Sequence, residues 1–325
     1  MFALSLFKRK SKRKMDSPKD DFASFDIVRK FSWGNEGPIS VVRLKNSGHV
    51  YDYLEPHRNV VRVYKCLEVI DEKQSSVLGH SIFMEYCTGG DLHDLIDRFL
   101  AKPDLVKDPV LLKHVLVELT DALIYLHHGY TRNDTTAAYR PPPRPWTAVI
   151  HRDIKPMNIF LRWPSPGFDP LRANLPDIVL GDFGTAAHQH DIATATGTSG
   201  NYPPEIRAEM AARHAGATWT PPPSSRPPMT AACDVWCLAA TLFAMATLQQ
   251  VPANPPRVDE DVFGSLIAEC IASCLRAEPE ARPSALDLVR GVAQVLRKER
   301  DEEVLLPTTS QLLHTKTAPQ TQRPL

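Results

Sequence analysis

Four polar residues in two short segments have the types and spacing that phosphoryl transfer needs. The segment HRDIKPMN (151–158) places Asp153, Lys155 and Asn158 on one short loop after the apolar residues AVI. The segment DFG supplies Asp182 after a second apolar stretch, DIVL. Phosphoryl transfer needs a carboxylate near the attacking hydroxyl, a cation near the transferred group and oxygen ligands for Mg²⁺. The two segments contain all of these groups and predict that chemistry.

The elements that must position these loops change in kind along the chain. From Phe25 to Met84, β-branched runs and turn signals predict strands, with a hairpin break at Asn46–Gly48. After Gly90, apolar residues recur at helical spacing, most clearly in PVLLKHVLVELTDALIYLHH and AACDVWCLAATLFAMAT. The sequence therefore predicts an α+β protein, with a small strand-rich region followed by a larger, mainly helical one.

Proline-rich segments and tails interrupt or flank these regions. The segments RNDTTAAYRPPPRPW, RWPSPGFDPLRANLPD and HAGATWTPPPSSRPPM lie between periodic elements, so we expect mobile surface loops. The alternative is a proline-motif ligand for a partner domain. We expect a basic disordered tail over 1–24, the strand-rich region over 25–84, the helical region over 85–300 and a disordered tail over 301–325.

Composition excludes some classes of function. The chain has 38 Lys and Arg residues against 38 Asp and Glu residues, so no net charge favours nucleic acid or an acidic membrane. No apolar run reaches membrane-spanning length. Two pairs of the six cysteines lie four residues apart in apolar stretches predicted to be helices, which favours buried, reduced thiols in a cytoplasmic or nuclear protein over a zinc site. The cluster KRKSKRK (8–14) indicates a nuclear address, a contact for an acidic surface, or a solvated arm.

The order of the two loop segments resembles the eukaryotic protein kinase family, with matching motifs over residues 61–290. The resemblance implies a two-lobed fold, a protein substrate, and ATP and Mg²⁺ as cofactors. It implies that Asp153 is the catalytic base and that Lys155 faces the phosphate. Asn158 and Asp182 would then be the magnesium ligands. The lysine within DIKPMN is similar to that of serine/threonine kinases.

The segment FMEYCTGGDL resembles the hinge of the family. The resemblance implies that Met84 lies at the gate of the adenine pocket. The backbone groups of Glu85 and Cys87 would bond the base, and Asp91 would lie near the ribose.

The segment GTSGNYPPE resembles the end of the family's activation segment. Thr198 matches the threonine that bridges the catalytic Asp and Lys in serine/threonine kinases. Asn201 stands where the family usually has Tyr. The resemblance also implies a buried ion pair between Glu205 and Arg282, and implies that Asp234 accepts backbone N–H groups of the catalytic loop.

A regulatory site is implied in the same region. In the family, an Arg in the position of Arg152 often binds a phosphate on the activation segment. Thr194 and Thr196 are the nearest hydroxyls to that place, so either is a candidate for an upstream activating kinase. Ordinary loop threonines are the alternative.

The strand-rich region departs from the family pattern. SWGNEGPISVV provides a reduced Gly-rich loop with Gly34 and Gly37 as its candidate nucleotide-binding residues. The strand that ends in a Lys and the helix that carries its Glu partner are not found, and roughly twenty-five residues are missing between the hairpin and EPHRNVV. Lys45 precedes the hairpin turn, whereas the expected lysine should follow it. Glu55 does not lie in a predicted helix.

Three interpretations follow from this pattern. The chain is a serine/threonine kinase by family, a catalytically impaired scaffold, or an incomplete copy of an active kinase. The first accounts for all four chemical residues, the second accounts for the missing elements, and the third accounts for the abrupt join after Tyr53.

Overall fold

The computed structural model of the chain describes twelve stretches of residues. It divides the chain into two compact units, 1–88 and 89–325, so the boundary falls four residues after the expected one at Met84. The described stretches are 2–7, 25–31, 39–44, 56–71, 76–100, 109–133, 138–143, 145–163, 175–189, 195–198, 200–216 and 229–290.

The smaller unit is built on a five-stranded antiparallel sheet. Its strands are β1 (Phe2–Phe7), β2 (Phe25–Phe31), β3 (Ile39–Leu44), β4 (Val63–Asp71) and β5 (Ser76–Glu85). The strands lie in the order β2-β3-β1-β5-β4. The strands predicted between Phe25 and Met84 are therefore confirmed. Residues 45–55, where the sequence lacks the expected strand end and helix, lie outside the described residues.

Strand β1 departs from the expected disordered tail over residues 1–24 at residues 2–7 alone, since residues 8–24 lie outside the described residues. It pairs with β3 on one side, from Phe2 opposite Arg43 to Leu6 opposite Ile39. On its other side it pairs with β5. The run FALSLF has the apolar character of a central strand, and it joins two hairpins, β2–β3 and β4–β5, into one sheet. The basic cluster that follows it in sequence lies outside the described residues.

The larger unit contains the helices and several short strands. Its helices are α1 (Leu92–Leu100), α2 (Pro109–His128), α3 (Pro204–His214), α4 (Ala231–Thr247), α5 (Glu260–Phe263) and α6 (Ser265–Cys274). Its strands are β6 (Thr131–Arg132), β7 (Tyr139–Arg140), β8 (Val149–Ile150), β9 (Ile159–Arg162), β10 (Asp177–Leu180) and β11 (Ala187–His188). The two long helices predicted from apolar spacing are α2 and α4, and both are confirmed.

The core of the larger unit is formed by α2 and α4, which pack against each other. Tyr125 of α2 and Trp236 of α4 are among its largest fully buried side chains. Both helices also bury polar side chains, including Glu118, Asp121 and Asp234. A buried carboxylate is unfavourable unless it is paired or hydrogen-bonded, so each of these acids implies a partner on another element. No helix among the described residues is long and apolar enough to cross a membrane.

The first proline-rich segment, residues 132–146, contains regular structure in its described parts, 132–133, 138–143 and 145–146. Strands β6 and β7 pair in it, with Thr131 opposite Arg140 and Arg132 opposite Tyr139. The Asn133 N–H donates to the Ala138 carbonyl at 2.9 Å, which closes the hairpin. Side-chain contacts with α2 override the loop-forming composition here. Residues 164–174 and 217–228, the central parts of the other two segments, lie outside the described residues.

Removal of residues 1–7 is expected to separate the small sheet into two hairpins. An isolated two-stranded hairpin is marginally stable in water at best, so the backbone amides of β3 and β5 should lose most of their protection from hydrogen exchange. Deletion of residues 8–14 is the control, because it removes six positive charges and no described strand. Equal protection of β3 and β5 in both deletion variants would contradict the central position of β1.

Candidate active site

The loop that carries the candidate catalytic residues is held by Asp234 in the first turn of α4. One carboxylate oxygen of Asp234 accepts the His151 N–H at 2.8 Å, and the other accepts the Arg152 N–H at 2.9 Å. The Nε2 of His127, at the end of α2, lies 3.0 Å from the same carboxylate. Asp234 is fully buried. This one side chain therefore joins the two core helices to the loop, and the role expected of it is observed.

The backbone of this loop is strained at Arg152, whose N–H donates to Asp234. Arg152 has a φ of +70°, in the left-handed region that non-glycine residues rarely adopt. Its N–H bond to Asp234 and the 2.5 Å bond from its Nε to the Thr185 carbonyl hold this conformation. Because such a conformation persists only when its surroundings over-determine it, the loop geometry depends on these contacts.

His151 connects the loop to the DFG segment. Its Nε2 lies 2.9 Å from the Gly181 carbonyl, which can only accept, so Nε2 carries the proton. Its Nδ1 then accepts the Asp153 N–H at 3.3 Å. The ring packs edge-on against Phe183 at a centroid distance of 4.9 Å. Burial lowers the pKa of His151, which favours the neutral ring that this bonding pattern requires.

Asp153, Lys155 and Thr198 converge in space as the sequence predicted. The Lys155 Nζ donates to Asp153 Oδ2 at 2.8 Å and to Thr198 Oγ1 at 2.5 Å. The side chains of Asp153 and Lys155 are 9% and 16% exposed. The other oxygen of Asp153, Oδ1, is buried and has no hydrogen-bond partner among the described residues. A buried carboxylate oxygen without a partner is suited to accept a hydrogen bond from a hydroxyl group that enters the site.

Asn158 and Asp182 are brought together by the β9–β10 pair. Asn158 directly precedes β9, Asp182 lies two residues after β10, and Ile159 is opposite Leu180 in the pair. The Gly181 N–H also donates to the Asn158 carbonyl at 2.8 Å. The Asn158 amide nitrogen donates to the backbone and side chain of Asp153, so its side-chain oxygen is the atom available to a cation.

This donor set fits Mg²⁺. The ion takes oxygen ligands and is commonly held by one or two carboxylates together with substrate phosphates and water. Asp182 offers a carboxylate and Asn158 an amide oxygen, and Asn158 also bonds Asp153. Among the described residues, no group of three or more His, Cys, Asp or Glu side chains could hold a metal ion.

Asn201 links the segment that contains Thr198 to the loop that carries Asp153. Its Nδ2 donates to the Ile154 carbonyl at 3.1 Å, and its N–H donates to the Thr198 carbonyl at 3.1 Å. The residue that departs from the family pattern therefore ties the segment containing Thr198 to the catalytic loop. Gly197, which precedes Thr198, has a φ of +128°. A Cβ at this position would lie 2.9 Å from the Arg152 carbonyl oxygen.

The expected ion pair between Glu205 and Arg282 is present. The guanidinium donates to the two carboxylate oxygens at 2.8 and 2.7 Å. It also donates to three backbone carbonyls, those of Arg276, Ala232 and Ala277, at 2.8 to 3.0 Å. The Arg282 side chain is 0% exposed and every donor has an acceptor. The pair thus joins the start of α3 to the loop after α6.

The remaining candidate residues are placed as follows. Met84 is buried at the end of β5, and the Glu85 N–H and carboxylate both bond the backbone of Arg62. Cys87 is buried just beyond them. Asp91 caps α1, because its Oδ1 accepts the Asp94 N–H at 2.8 Å. Burial raises the pKa of Asp91, and that hydrogen bond partly opposes the shift. Gly34, Gly37 and Thr194 lie outside the described residues.

Sequence reasoning missed three supporting contacts of the site. His127 lies in an apolar helical pattern, and nothing local indicates that it faces Asp234, 107 residues away in sequence. The bond from Arg152 to the Thr185 carbonyl involves a main-chain acceptor, which no residue type can signal. Asn201 was noticed only as a departure from the family, and its bond to Ile154 follows from the fold.

Comparison with known proteins agrees with this geometry. The model of the protein kinase domain matches residues 45–300. The chain is 26% identical over 311 residues to the G2-specific protein kinase nimA of Emericella nidulans, covering 85% of this chain and 40% of that protein. It is 26% identical over 295 residues to the G2-specific protein kinase fin1 of Schizosaccharomyces pombe, covering 81% and 36%. It is also 26% identical over 258 residues to Myosin-IIIa of Mus musculus, covering 73% and 13%.

The fold and the site define a protein kinase-like molecule with two lobes. The chain belongs to the protein kinase family, because the family model matches well over half of its length. It spans 40% or less of the length of these three relatives.

Replacement of Arg282 by Ala is expected to lower the free energy of unfolding by about 3–5 kcal/mol, because the change leaves the Glu205 carboxylate without its buried partner. Arg257→Ala is the matched control. Arg257 pairs with Glu260 and Glu269 while 52% exposed, so its loss should change stability by less than about 1 kcal/mol. Urea denaturation of both variants checks the difference. Equal effects would contradict a structural role for the buried pair.

Proposed function

We propose that this chain is a serine/threonine protein kinase, which transfers the γ-phosphoryl group of ATP to a hydroxyl group on a protein substrate. The observation that carries the proposal is the bridge from Lys155 to Asp153 and Thr198. Asp153 Oδ1, which has no hydrogen-bond partner among the described residues, supports it further. The names of the nimA and fin1 relatives support a protein kinase activity.

In this proposal, Asp153 orients the substrate hydroxyl and accepts its proton. Its Oδ2 is occupied by Lys155 and Asn158, so the carboxylate cannot rotate without breaking these bonds. Oδ1 is therefore the atom that accepts the hydroxyl hydrogen bond. General-base positioning of this kind typically contributes about 10²–10⁴-fold to the rate.

Lys155 has two functions in the proposal. Its ammonium group stabilises the charge that spreads over the transferred phosphoryl oxygens. By bonding Thr198 it also ties the catalytic loop to the activation segment, which would order the surface where a substrate hydroxyl approaches. This bridge is the feature that favours a serine/threonine substrate.

ATP and Mg²⁺ are the proposed cofactors. Bound Mg²⁺ would neutralise phosphate charge, and Asn158 and Asp182 would hold it through oxygen atoms. Met84, Glu85 and Cys87 remain the candidates for binding adenine, with Asp91 near the ribose. Gly34 and Gly37 are candidates from sequence only, since both lie outside the described residues.

Replacement of Asp153 by Asn is expected to reduce phosphoryl transfer to a generic basic protein by about 10²–10⁴-fold, because the amide cannot accept the proton. The thermal shift caused by Mg–ATP should remain, because Asp153 is not a proposed metal ligand. Asp177→Asn is the matched control, since Asp177 pairs with Arg162 at the start of β10 and takes no part in the proposed chemistry. Transfer that is unaffected by Asp153→Asn would reject the proposed base.

A catalytically impaired scaffold is the second candidate function. The missing phosphate-binding lysine between Tyr53 and His57 favours it, because positioning of the phosphates supplies most of kinase catalysis. A parent chain that neither transfers phosphate nor shows a thermal shift with Mg–ATP would reject an enzymatic activity for this chain. Lys8 follows β1 directly in sequence and lies outside the described residues. The variant Lys8→Met in the same assay tests whether Lys8 supplies the positive charge of the missing lysine.

An incomplete copy is distinguished from both by the natural transcript. An additional stretch of about twenty-five codons between those for Lys45 and His57, encoding a lysine and a helical glutamate, would identify an ordinary kinase with a segment missing here. A transcript without it would show that the small lobe is truly reduced.

Phosphorylation by an upstream kinase is proposed at Thr194 or Thr196. The Thr196 N–H lies 3.5 Å from the Met229 sulfur, and the preceding Ala195 N–H donates to the buried Glu209 at 3.3 Å. The backbone is therefore anchored next to the Thr196 hydroxyl. A phosphate in this segment would pair with a guanidinium such as that of Arg152 and order the segment.

The double variant Thr194→Ala, Thr196→Ala is expected to lower the activity of protein pre-incubated with an activating extract by about tenfold or more, equivalent to about 1.4 kcal/mol of barrier. Intact mass should show one phosphate fewer than the parent. Thr247→Ala, at the end of α4, is the control and should change neither quantity. Unchanged activity and mass in the double variant would reject the regulatory site.

A further inference from the structure

Two pairs of cysteines lie four residues apart on helices of the larger unit, and the proposed phosphoryl transfer uses neither pair. Cys233 and Cys237 lie on α4, and Cys270 and Cys274 lie on α6. None of the four takes part in a disulfide. Side chains four residues apart on a helix share a face, with Cβ atoms about 5–6 Å apart. The two pairs therefore have the same spacing, and their surroundings decide which pair can bind a ligand.

The pair on α4 is buried, and both of its thiols already have hydrogen-bond acceptors. The Cys233 thiol donates to Glu205 Oε1 at 3.3 Å, and the Cys237 thiol donates to the Asn201 carbonyl at 3.5 Å. The two cysteines are 1% and 3% exposed. Burial raises the pKa of both thiols, so neither readily forms the thiolate that binds metals. The α4 pair is therefore poorly suited to a ligand.

The pair on α6 differs from the α4 pair in two respects. Cys270 is half-buried and can be reached from solvent, whereas Cys274 is 0% exposed. The two thiols also contact each other, because the Cys274 thiol donates a hydrogen bond to the Cys270 sulfur. That bond lowers the pKa of Cys270, although burial opposes the shift. Two sulfur atoms therefore converge on α6, and one of them is open to solvent.

Two converging sulfur atoms favour soft cations. Thiolate ligands favour Cu(I) and Zn²⁺ among the common biological metals. A structural zinc site takes four ligands, and the described residues contain no group of three or more His, Cys, Asp or Glu side chains that could hold a metal ion. Cu(I) is stable with two sulfur ligands. The α6 pair therefore satisfies the coordination of Cu(I) without a third residue.

The surroundings of Cys274 help to accommodate the charge of such a complex. Two thiolates and one Cu(I) ion carry one negative charge together, which is unfavourable in a core unless a cation lies near. The bond to Cys270 and burial raise the pKa of Cys274, and the Arg282 guanidinium partly opposes this shift. Arg282 also donates to the carbonyl groups of Arg276 and Ala277, in the loop that follows α6. A metal at the last turn of α6 would therefore bind next to a cation that the fold holds in place.

We propose that Cys270 and Cys274 form a site for one Cu(I) ion bound by two thiolates. On binding, two S–H bonds break and two S–Cu bonds form. The protons pass to solvent, and the copper keeps its oxidation state. Cys270 is the first ligand because solvent reaches its sulfur, and Cys274 follows because its thiol already contacts that sulfur. A ligand that binds only the folded chain stabilises it, so Cu(I) should raise the melting temperature. The site is independent of the proposed phosphoryl transfer.

The test is an anaerobic titration of the reduced full chain into the coloured complex of Cu(I) with bicinchoninate, which loses its absorbance when the protein removes the ion. The parent should remove one Cu(I) ion per chain. Cys270→Ser should weaken Cu(I) binding by at least about tenfold, because loss of a ligand costs more than loss of an outer-shell partner. Cys233→Ser and Cys237→Ser combined is the matched control. It removes the equally spaced pair, keeps hydroxyl donors for Glu205 and Asn201, and should bind Cu(I) as the parent does.

Two further measurements separate the site from other effects. X-ray absorption at the copper edge of the loaded parent should show two sulfur neighbours, a result that does not depend on the folding of any variant. Asp153→Asn should bind Cu(I) as the parent does, whether or not the chain is an active kinase. A parent chain that removes no Cu(I) from bicinchoninate would overturn the proposal. Uptake that persists unchanged in Cys270→Ser, or copper bound through nitrogen or oxygen neighbours, would also overturn it.

Discussion

The buried carboxylate of Asp234 is the interaction on which the candidate site depends. It lies in the core helix α4, receives His127 from α2, and accepts two successive backbone N–H groups of the catalytic loop. A fully buried carboxylate without these donors would be strongly unfavourable, so the bonds from the loop to Asp234 help to stabilise the core. The hydrogen bond from the Arg152 N–H to Asp234 helps to hold Arg152 in its left-handed conformation. The rigidity of the helical core is thereby transmitted to Asp153, one residue further along.

Stability and chemistry use different polar groups in the larger unit. Glu205 and Arg282 are saturated with mutual and backbone hydrogen bonds, so they join α3 to the loop after α6 and have no donor left for a ligand. Asp153 keeps one buried oxygen without a partner among the described residues. A satisfied buried group stabilises the fold, whereas an unsatisfied one is available for a substrate. This difference separates the two roles although both sets are acidic and basic side chains.

The smaller unit is organised by a strand that comes from outside the expected region. Strands β2–β3 and β4–β5 are two hairpins, and β1 connects them by pairing with both. Hydrogen bonds on both edges of one six-residue strand therefore turn two marginal hairpins into one sheet. The family pattern has a strand and a helix after the hairpin, where this chain has Tyr53 followed closely by EPHRNVV. The sheet is continuous without that strand. In the family pattern, however, the strand also carries a lysine that phosphoryl transfer requires.

Apolar periodicity and short motifs are local signals, so the sequence predicts the two-part α+β organisation and both core helices. Its motifs also mark Asp153, Lys155, Asn158 and Asp182 as candidate chemical residues. The sequence could not predict where FALSLF lies, because β1 pairs with the distant strands β3 and β5. Nor could it predict that Arg132 and Trp146 of the segment RNDTTAAYRPPPRPW contact α2. Buried partners on that helix override the loop-like composition of the segment. The contact of His127 with Asp234 and the bond from Asn201 to the Ile154 carbonyl appear only in the folded chain. The physical reason is that buried polar groups find their partners through packing of the whole unit, which local sequence does not encode.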